Sequence, residues 1–191
     1  MGKADNAETI KEVLVRFLRT RALSQFDVVI EELTLGKKYG RIDTVLMHNN
    51  EMYGYEIKSD LDSLDRLEKQ IEMYGEVMDF MTIVVGRKHM PDVRDLVPKW
   101  WGLFLYHNGH IRVLREPENN KNTSDAAVAS LLWKETLLDY LYRIDVYKGI
   151  DLKKRTKLAL QRYILEGIPP HYLKALAVHQ LRKHGRRKEH E

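Results

Sequence analysis

Residues 41–60, RIDTVLMHNNEMYGYEIKSD, hold two β-branched and apolar runs separated by four turn-forming residues, which commits the middle of the chain to an antiparallel hairpin. The runs 41–47 and 52–59 read as strands, and His48, Asn49, Asn50 and Glu51 as the turn, with asparagines suited to positive φ. Yet these strands carry charge where a core is expected: Asp43 in the first, Glu56 and Lys58 in the second. Strand side chains alternate between faces, so Glu56 and Lys58 share one face and Ile57 points to the other. Across the hairpin, Asp43 can reach the same face near the sheet centre, in a register that the sequence leaves open. Two acids placed there repel each other and are costly to bury unless a cation lies between them.

The rest of the chain supplies a frame for that hairpin. Residues 7–22 place Ile10, Val13, Leu14, Phe17 and Leu18 on one stripe, predicting an amphipathic helix. FDVVIEELTL predicts a strand over about 27–35, with GKKYG as a turn, so three strands form an antiparallel meander. Leu64, Leu67, Ile71, Tyr74 and Met78 predict a second helix over about 61–79, with Asp60 or Asp62 as its N-cap. FMTIVVG reads as a buried interior strand, MPDVRDLVP as a short helix begun by proline, and WGLFLYHNGHIRVLR as a hairpin turning at HNGH. The organisation expected is a core over 1–115, a linker or exposed loop over 116–125, and a basic helical region over 126–191. Helices are predicted there at 126–147, 151–166 and roughly 170–184.

Composition narrows the chemistry. There is no cysteine, which excludes disulfides, thiol nucleophiles and thiolate metal sites and leaves carboxylate, histidine and water as metal ligands. The eight histidines show no paired ligand spacing and read as surface residues, and Trp100 and Trp101 read as packing. No run is long and apolar enough for a membrane helix, and the first residues have no apolar signal core, so a soluble cytoplasmic protein is expected. Residues 1–147 carry 20 Lys/Arg against 24 Asp/Glu, and residues 148–191 carry 12 against 4. Such asymmetry suits either a polyanion partner or a solubilising tail. A helix-turn-helix around LEGIPPHYLKALAVHQL is one reading of that region, and a plain proline-started helix is the other.

RID followed thirteen residues later by Glu56-Ile57-Lys58, after a helix and a strand and before an amphipathic helix, resembles the PD-(D/E)XK nuclease superfamily. The resemblance covers residues 8 to about 105 and extends to a group of small bacterial and phage proteins of that superfamily. It implies an α/β fold with a restriction-endonuclease-like αβββαβ core around a central mixed sheet, to which this chain adds C-terminal helices. It also implies Asp43 and Glu56 as metal ligands with the Ile57 carbonyl, Lys58 as the catalytic lysine, and Mg²⁺ or Mn²⁺ as the cofactor. QIEMY places Gln70 and Tyr74 as in the Q-xxx-Y helix of the RecB-like branch, where they lie beside the active site, although Tyr74 also continues an apolar stripe. Glu32 matches a further acid that many members supply from the first strand, with Glu12 or Glu8 as the alternative. Ile42 stands where the superfamily motif has proline.

These readings converge on a divalent-metal-dependent nuclease, with DNA as the partner and endonucleolytic cleavage as the reaction. Homodimerisation is compatible with cutting two strands. The alternatives are a nuclease fold that binds nucleic acid or a partner without turnover, and a DNA-binding regulator acting through the C-terminal helices.

Overall fold

The computed structural model describes residues 5–21, 24, 27–35 and 40–188, with side chains to residue 184. Apart from Gly40, the turn expected at 36–40 lies outside these residues, as does the end of the basic tail. The chain is a mixed α/β protein in two compact units, 1–123 and 124–191.

The first unit runs α1 (Ala7–Arg21), β1 (Val28–Thr34), β2 (Arg41–His48), β3 (Glu51–Lys58), α2 (Leu67–Gly75), β4 (Phe80–Val85), α3 (Met90–Leu96), β5 (Gly102–His107) and β6 (His110–Arg115). Its sheet is mixed and has the strand order β1-β2-β3-β4-β5-β6. β1, β2 and β3 form the antiparallel meander; β4 is parallel to both β3 and β5, and β6 closes an antiparallel hairpin with β5. Crossing in parallel from β3 to β4 requires a long connection, and the segment carrying α2 supplies it. β4 is apolar and almost wholly buried because strands pair with it on both sides. Asn49 turns the first hairpin at φ 51°, and Asn108 and Gly109 turn the last at 48° and 76°.

Helix α1 covers one sheet face. Ile10, Leu14 and Leu18 pack with Leu46, Tyr55, Ile57, Val84 and Phe104. Burial of each such aliphatic side chain is worth roughly 1.5–3 kcal/mol, so α1 fixes Tyr55 and Ile57 inward and turns Glu56 and Lys58 to the other face.

Several local expectations are corrected. Helix α2 begins at Leu67 rather than near residue 61, its N-cap is Arg66 with no side-chain cap bond, and it ends before Met78. Asp62 instead accepts from the backbone amide and hydroxyl of Ser59 at 2.7 and 2.6 Å, and Asp60 Oδ1 accepts from Lys88 N at 2.9 Å. The Ser59 bonds close the turn after β3 on itself, and the Lys88 bond fastens it to the loop after β4. His89 belongs to the same clasp: it is buried, with Nε2 2.9 Å from Asp62 O, and is not the surface residue expected. Nor is 116–125 a free loop. Asn120 is buried, its amide donates to Asp79 O at 2.7 Å, and its side chain donates to Gly75 O and Met78 O.

Gly86 sits inside the clasp, where an added Cβ would lie 2.1 Å from Asp60 Oδ1 and 3.1 Å from Asp60 N. Gly86→Ala must push the 59–62 turn off its seat and is expected to cost about 1–3 kcal/mol. Urea unfolding checks this, and an unchanged midpoint would contradict it.

The second unit contains α4 (Asp125–Leu131), α5 (Lys134–Ile144), a 3-10 turn (Leu152–Lys154), α6 (Lys157–Gly167) and α7 (Pro170–Lys188). Ser124 caps α4 and Thr156 caps α6 through their hydroxyls. The single helix expected over 126–147 is broken at Leu132 and Trp133, which are extended. Gln180 satisfies the break: buried, it accepts from Trp133 N at 2.7 Å and donates to Leu131 O at 2.9 Å. Leu132, Leu137, Leu141, Leu160, Ile164 and Leu173 form this unit's core. Among the described residues no helix is long and apolar enough to cross a membrane.

Candidate active site

The charged residues of the hairpin converge where β2 parts from β3. Paired residues run from His48–Glu51 to Thr44–Tyr55 and stop there. One residue further along, the Asp43 carboxylate accepts the Ile57 amide at 2.8 Å, so a side chain stands in for a ladder acceptor. This binds Asp43 to the strand bearing Glu56 and Lys58.

Glu56 and Lys58 are both buried, 2% and 6% exposed. The Lys58 ammonium donates to Glu56 Oε1 at 2.9 Å. Gln70, from α2, donates its amide to the same oxygen and also to the Tyr74 hydroxyl at 3.2 Å. Tyr74, itself buried, donates onward to Arg41 O at 2.8 Å, so this helix is latched through Gln70 to β3 and through Tyr74 to β2. The spacing that puts Gln70 and Tyr74 on one helix face serves the latch. Tyr74 therefore fills both roles considered for it, as a core ring and as a polar neighbour of the site.

Two buried acceptors in this group have no donor: Glu56 Oε2 and Gln70 Oε1. Leaving such oxygens unpaired costs about 1–3 kcal/mol each, and more when the group is charged. The electrostatics agree. Burial, then repulsion from Asp43, pushes the Glu56 carboxyl up to about 7 against the pull of Lys58 and Gln70. Burial also raises Asp43, opposed by the Ile57 amide and by the cations of Lys58, Lys11 and Arg41. A cation facing these oxygens would relieve the repulsion and the unpaired acceptors together.

Asp43, Glu56, Ile57, Lys58, Gln70 and Tyr74 line one cleft of about 450 Å³, which Arg41, Arg66 and Lys69 also border. Glu32 does not line it. Its carboxylate is held by Lys11 at 3.1 Å and Arg41 at 2.7 Å, and its backbone is left-handed at φ 54°. The expectation that Glu32 joins the site is corrected accordingly: it anchors two cations that act on Asp43. Glu8 also pairs with Lys11, at 2.8 Å. Lys11 is not among the residues expected here, yet its place on the buried stripe, one position from Ile10 and three from Leu14, is the signal in the sequence that marks it.

Among the described residues no three Asp, Glu or His side chains converge. The donor set is two carboxylates, with an amide oxygen beside them. That set fits Mg²⁺, which is commonly held by one or two carboxylates and keeps water and phosphate oxygens as its other ligands. A larger cavity of about 710 Å³ lies within the second unit, near Trp133, Tyr140 and His179. Its Asp139 is paired with Arg143 at 2.9 Å, so it offers no comparable pair of uncompensated acids.

The mixed sheet, with the buried Glu56 and the half-buried Asp43 where two strands part, defines an α/β protein with a polar cleft flanked by α2. A solved Silicibacter pomeroyi protein of unknown function is similar in fold, with a TM-score of 0.50 and 18% identity over 78% of this chain and 97% of that one. The family is given by sequence: the model described as Bacteriophage P4 protein cII matches residues 2–190, and the chain belongs to that family. It is 27% identical to Protein cII of Enterobacteria phage P4 over 114 residues, 59% of this chain and 43% of that protein. The chain thus spans less than half the length of this curated relative.

Proposed function

We propose that this chain is a divalent-metal-dependent nuclease of the PD-(D/E)XK type that hydrolyses phosphodiester bonds in DNA as an endonuclease. The observation that carries the reading is the buried Glu56 carboxylate, which keeps one oxygen without a donor while Asp43 and the unpaired Gln70 oxygen lie in the same cleft. Asp43 and Glu56 would hold Mg²⁺ or Mn²⁺, with the Ile57 carbonyl as the ligand that the superfamily resemblance adds. When bound, the ion supplies polarisation of a phosphate oxygen and a more acidic water. Lys58, which borders the same cleft, would set an ammonium beside a phosphate bound there, where it could orient the attacking water and stabilise developing negative charge. Gln70 keeps the Glu56 carboxylate in one orientation, and Tyr74 fixes α2 against β2.

A second reading, binding without turnover, is favoured by the small donor set, since only two carboxylates converge among the described residues. Incubating the purified protein with linear, circular, single-stranded and branched DNA and RNA, with Mg²⁺, Mn²⁺ or EDTA, separates the two. Cutting that requires the metal is expected. Binding with no cutting on any substrate, by a folded protein, favours the second reading.

A further inference from the structure

The cleft has a cationic rim that the acids and Lys58 do not use. Lys58 is paired with Glu56 and Arg41 with Glu32, whereas Arg66 and Lys69 border the cleft, are exposed, and have no carboxylate partner among the described residues. Their place on α2 does not serve the helix. Arg66 is the N-cap and Lys69 lies in the first turn, where positive side chains oppose the helix dipole and acids are favoured. Three positions apart, they project from neighbouring points of one helix face. Gln70, next to Lys69, bonds Glu56, so the same turn that presents these cations also touches the acid pair.

The geometry points to Arg66 and Lys69 as the residues that seat the nucleic-acid backbone at the cleft, contacting phosphates adjacent to the one held over Asp43 and Glu56. This rests on the nuclease reading only in taking the cleft as the seat of a phosphodiester. An arginine fork suits two phosphate oxygens and a lysine a single point of charge. Contacts of this kind fix position without reading bases, so recognition at this rim is independent of sequence.

The test is fluorescence anisotropy of a labelled DNA duplex with the full chain in EDTA, across a salt series. It compares wild type, the double variant Arg66→Ala with Lys69→Ala, the conservative pair Arg66→Lys with Lys69→Arg, and Lys153→Ala with Lys154→Ala on the 3-10 turn. The rim double variant is expected to bind roughly tenfold more weakly and to lose about 1–2 from the log–log salt slope. The conservative pair should retain most binding, and the Lys153/Lys154 variant should lose less than the rim variant.

Four results overturn the inference: no binding by wild type; a rim variant that matches wild type in affinity and slope; a loss confined to the Lys153/Lys154 variant; or competition by polyglutamate as effective as by duplex. The two proposals can fail separately. Rim-dependent binding without metal-dependent cutting leaves this inference standing and removes the hydrolytic one. Cutting by wild type with unchanged slope and KM in the rim variant does the reverse.

Discussion

Lys58→Ala is expected to lower metal-dependent strand cleavage by roughly two to four orders of magnitude while the protein stays folded. The size follows from position: the ammonium is buried, 2.9 Å from Glu56 Oε1, and borders the cleft with Asp43. A charge held in a site shielded from water acts on a reacting phosphate far more strongly than one in solvent. Deleting one member of a buried ion pair ordinarily costs about 3–5 kcal/mol, because the other charge is stranded. Here the stranded group can take up a proton. Glu56 already titrates at about 7, and loss of Lys58 moves it higher, so the variant can bury a neutral acid near neutral pH. Single-turnover cleavage, with circular dichroism on the same samples, checks both halves. A rate within about threefold of wild type would contradict the assignment.

The second large effect is on stability and its pH dependence. Glu56 has an ordinary value of 4.5 and is pushed up to about 7 in the fold, chiefly by burial and then by Asp43. Between those values the folded chain holds a proton that the unfolded chain has released. The resulting stability is fully present below about 4.5 and is lost as pH rises through about 7. The shift corresponds to about 3 kcal/mol, and Asp43, raised from 3.8, contributes in the same direction from a lower pH. Metal-free protein should therefore melt lower at pH 8 than at pH 5, after correction for groups outside the site. Glu56→Gln should remove most of that slope and make the metal-free protein more stable than wild type at pH 8, while losing cleavage. Thermal melts of both proteins in EDTA from pH 5 to pH 8 provide the check. Parallel pH profiles for wild type and variant would show that Glu56 is not the group responsible.

Much of the fold was legible because its signals are local. The stripe Ile10, Leu14, Leu18, the alternation around Tyr55 and Ile57, and the asparagines at the hairpin tips each report their element directly. The order of elements in the first unit follows from them. What was not legible depends on partners distant in sequence. Nothing near Leu132 breaks a helix; Gln180, far along the chain, accepts the Trp133 amide and makes the break tolerable. Asp60 and Asp62 have the composition of helix caps, but the Asp60 carboxylate is taken by the Lys88 amide and the Asp62 carboxylate by Ser59. Asn120 looks like a loop residue until the carbonyls of Gly75 and Met78 are brought to its amide.

Strand parity and the Q-xxx-Y spacing were enough to group Glu56, Lys58, Gln70 and Tyr74, whose side chains line one cleft in the fold. For Glu32 the parity of β1 is open in the sequence and its placement rested on the superfamily resemblance; the left-handed Glu32 interrupts the alternation there, with Glu31 opposite Thr44 and Leu33 opposite Ile42. The rim cations Arg66 and Lys69 were likewise not legible as site residues, since an exposed charge on a helix reads as solvated until the cleft beside it is known.

The central claim is that Asp43 and Glu56 are held together to bind a divalent cation. Calorimetric titration of Mn²⁺ into metal-free protein at pH 7, in two buffers of different ionisation enthalpy, tests it most directly. The account predicts saturable binding that is lost in both Asp43→Asn and Glu56→Gln, accompanied by proton release because Glu56 titrates at about 7. Absence of binding, or binding that survives both substitutions, would contradict it.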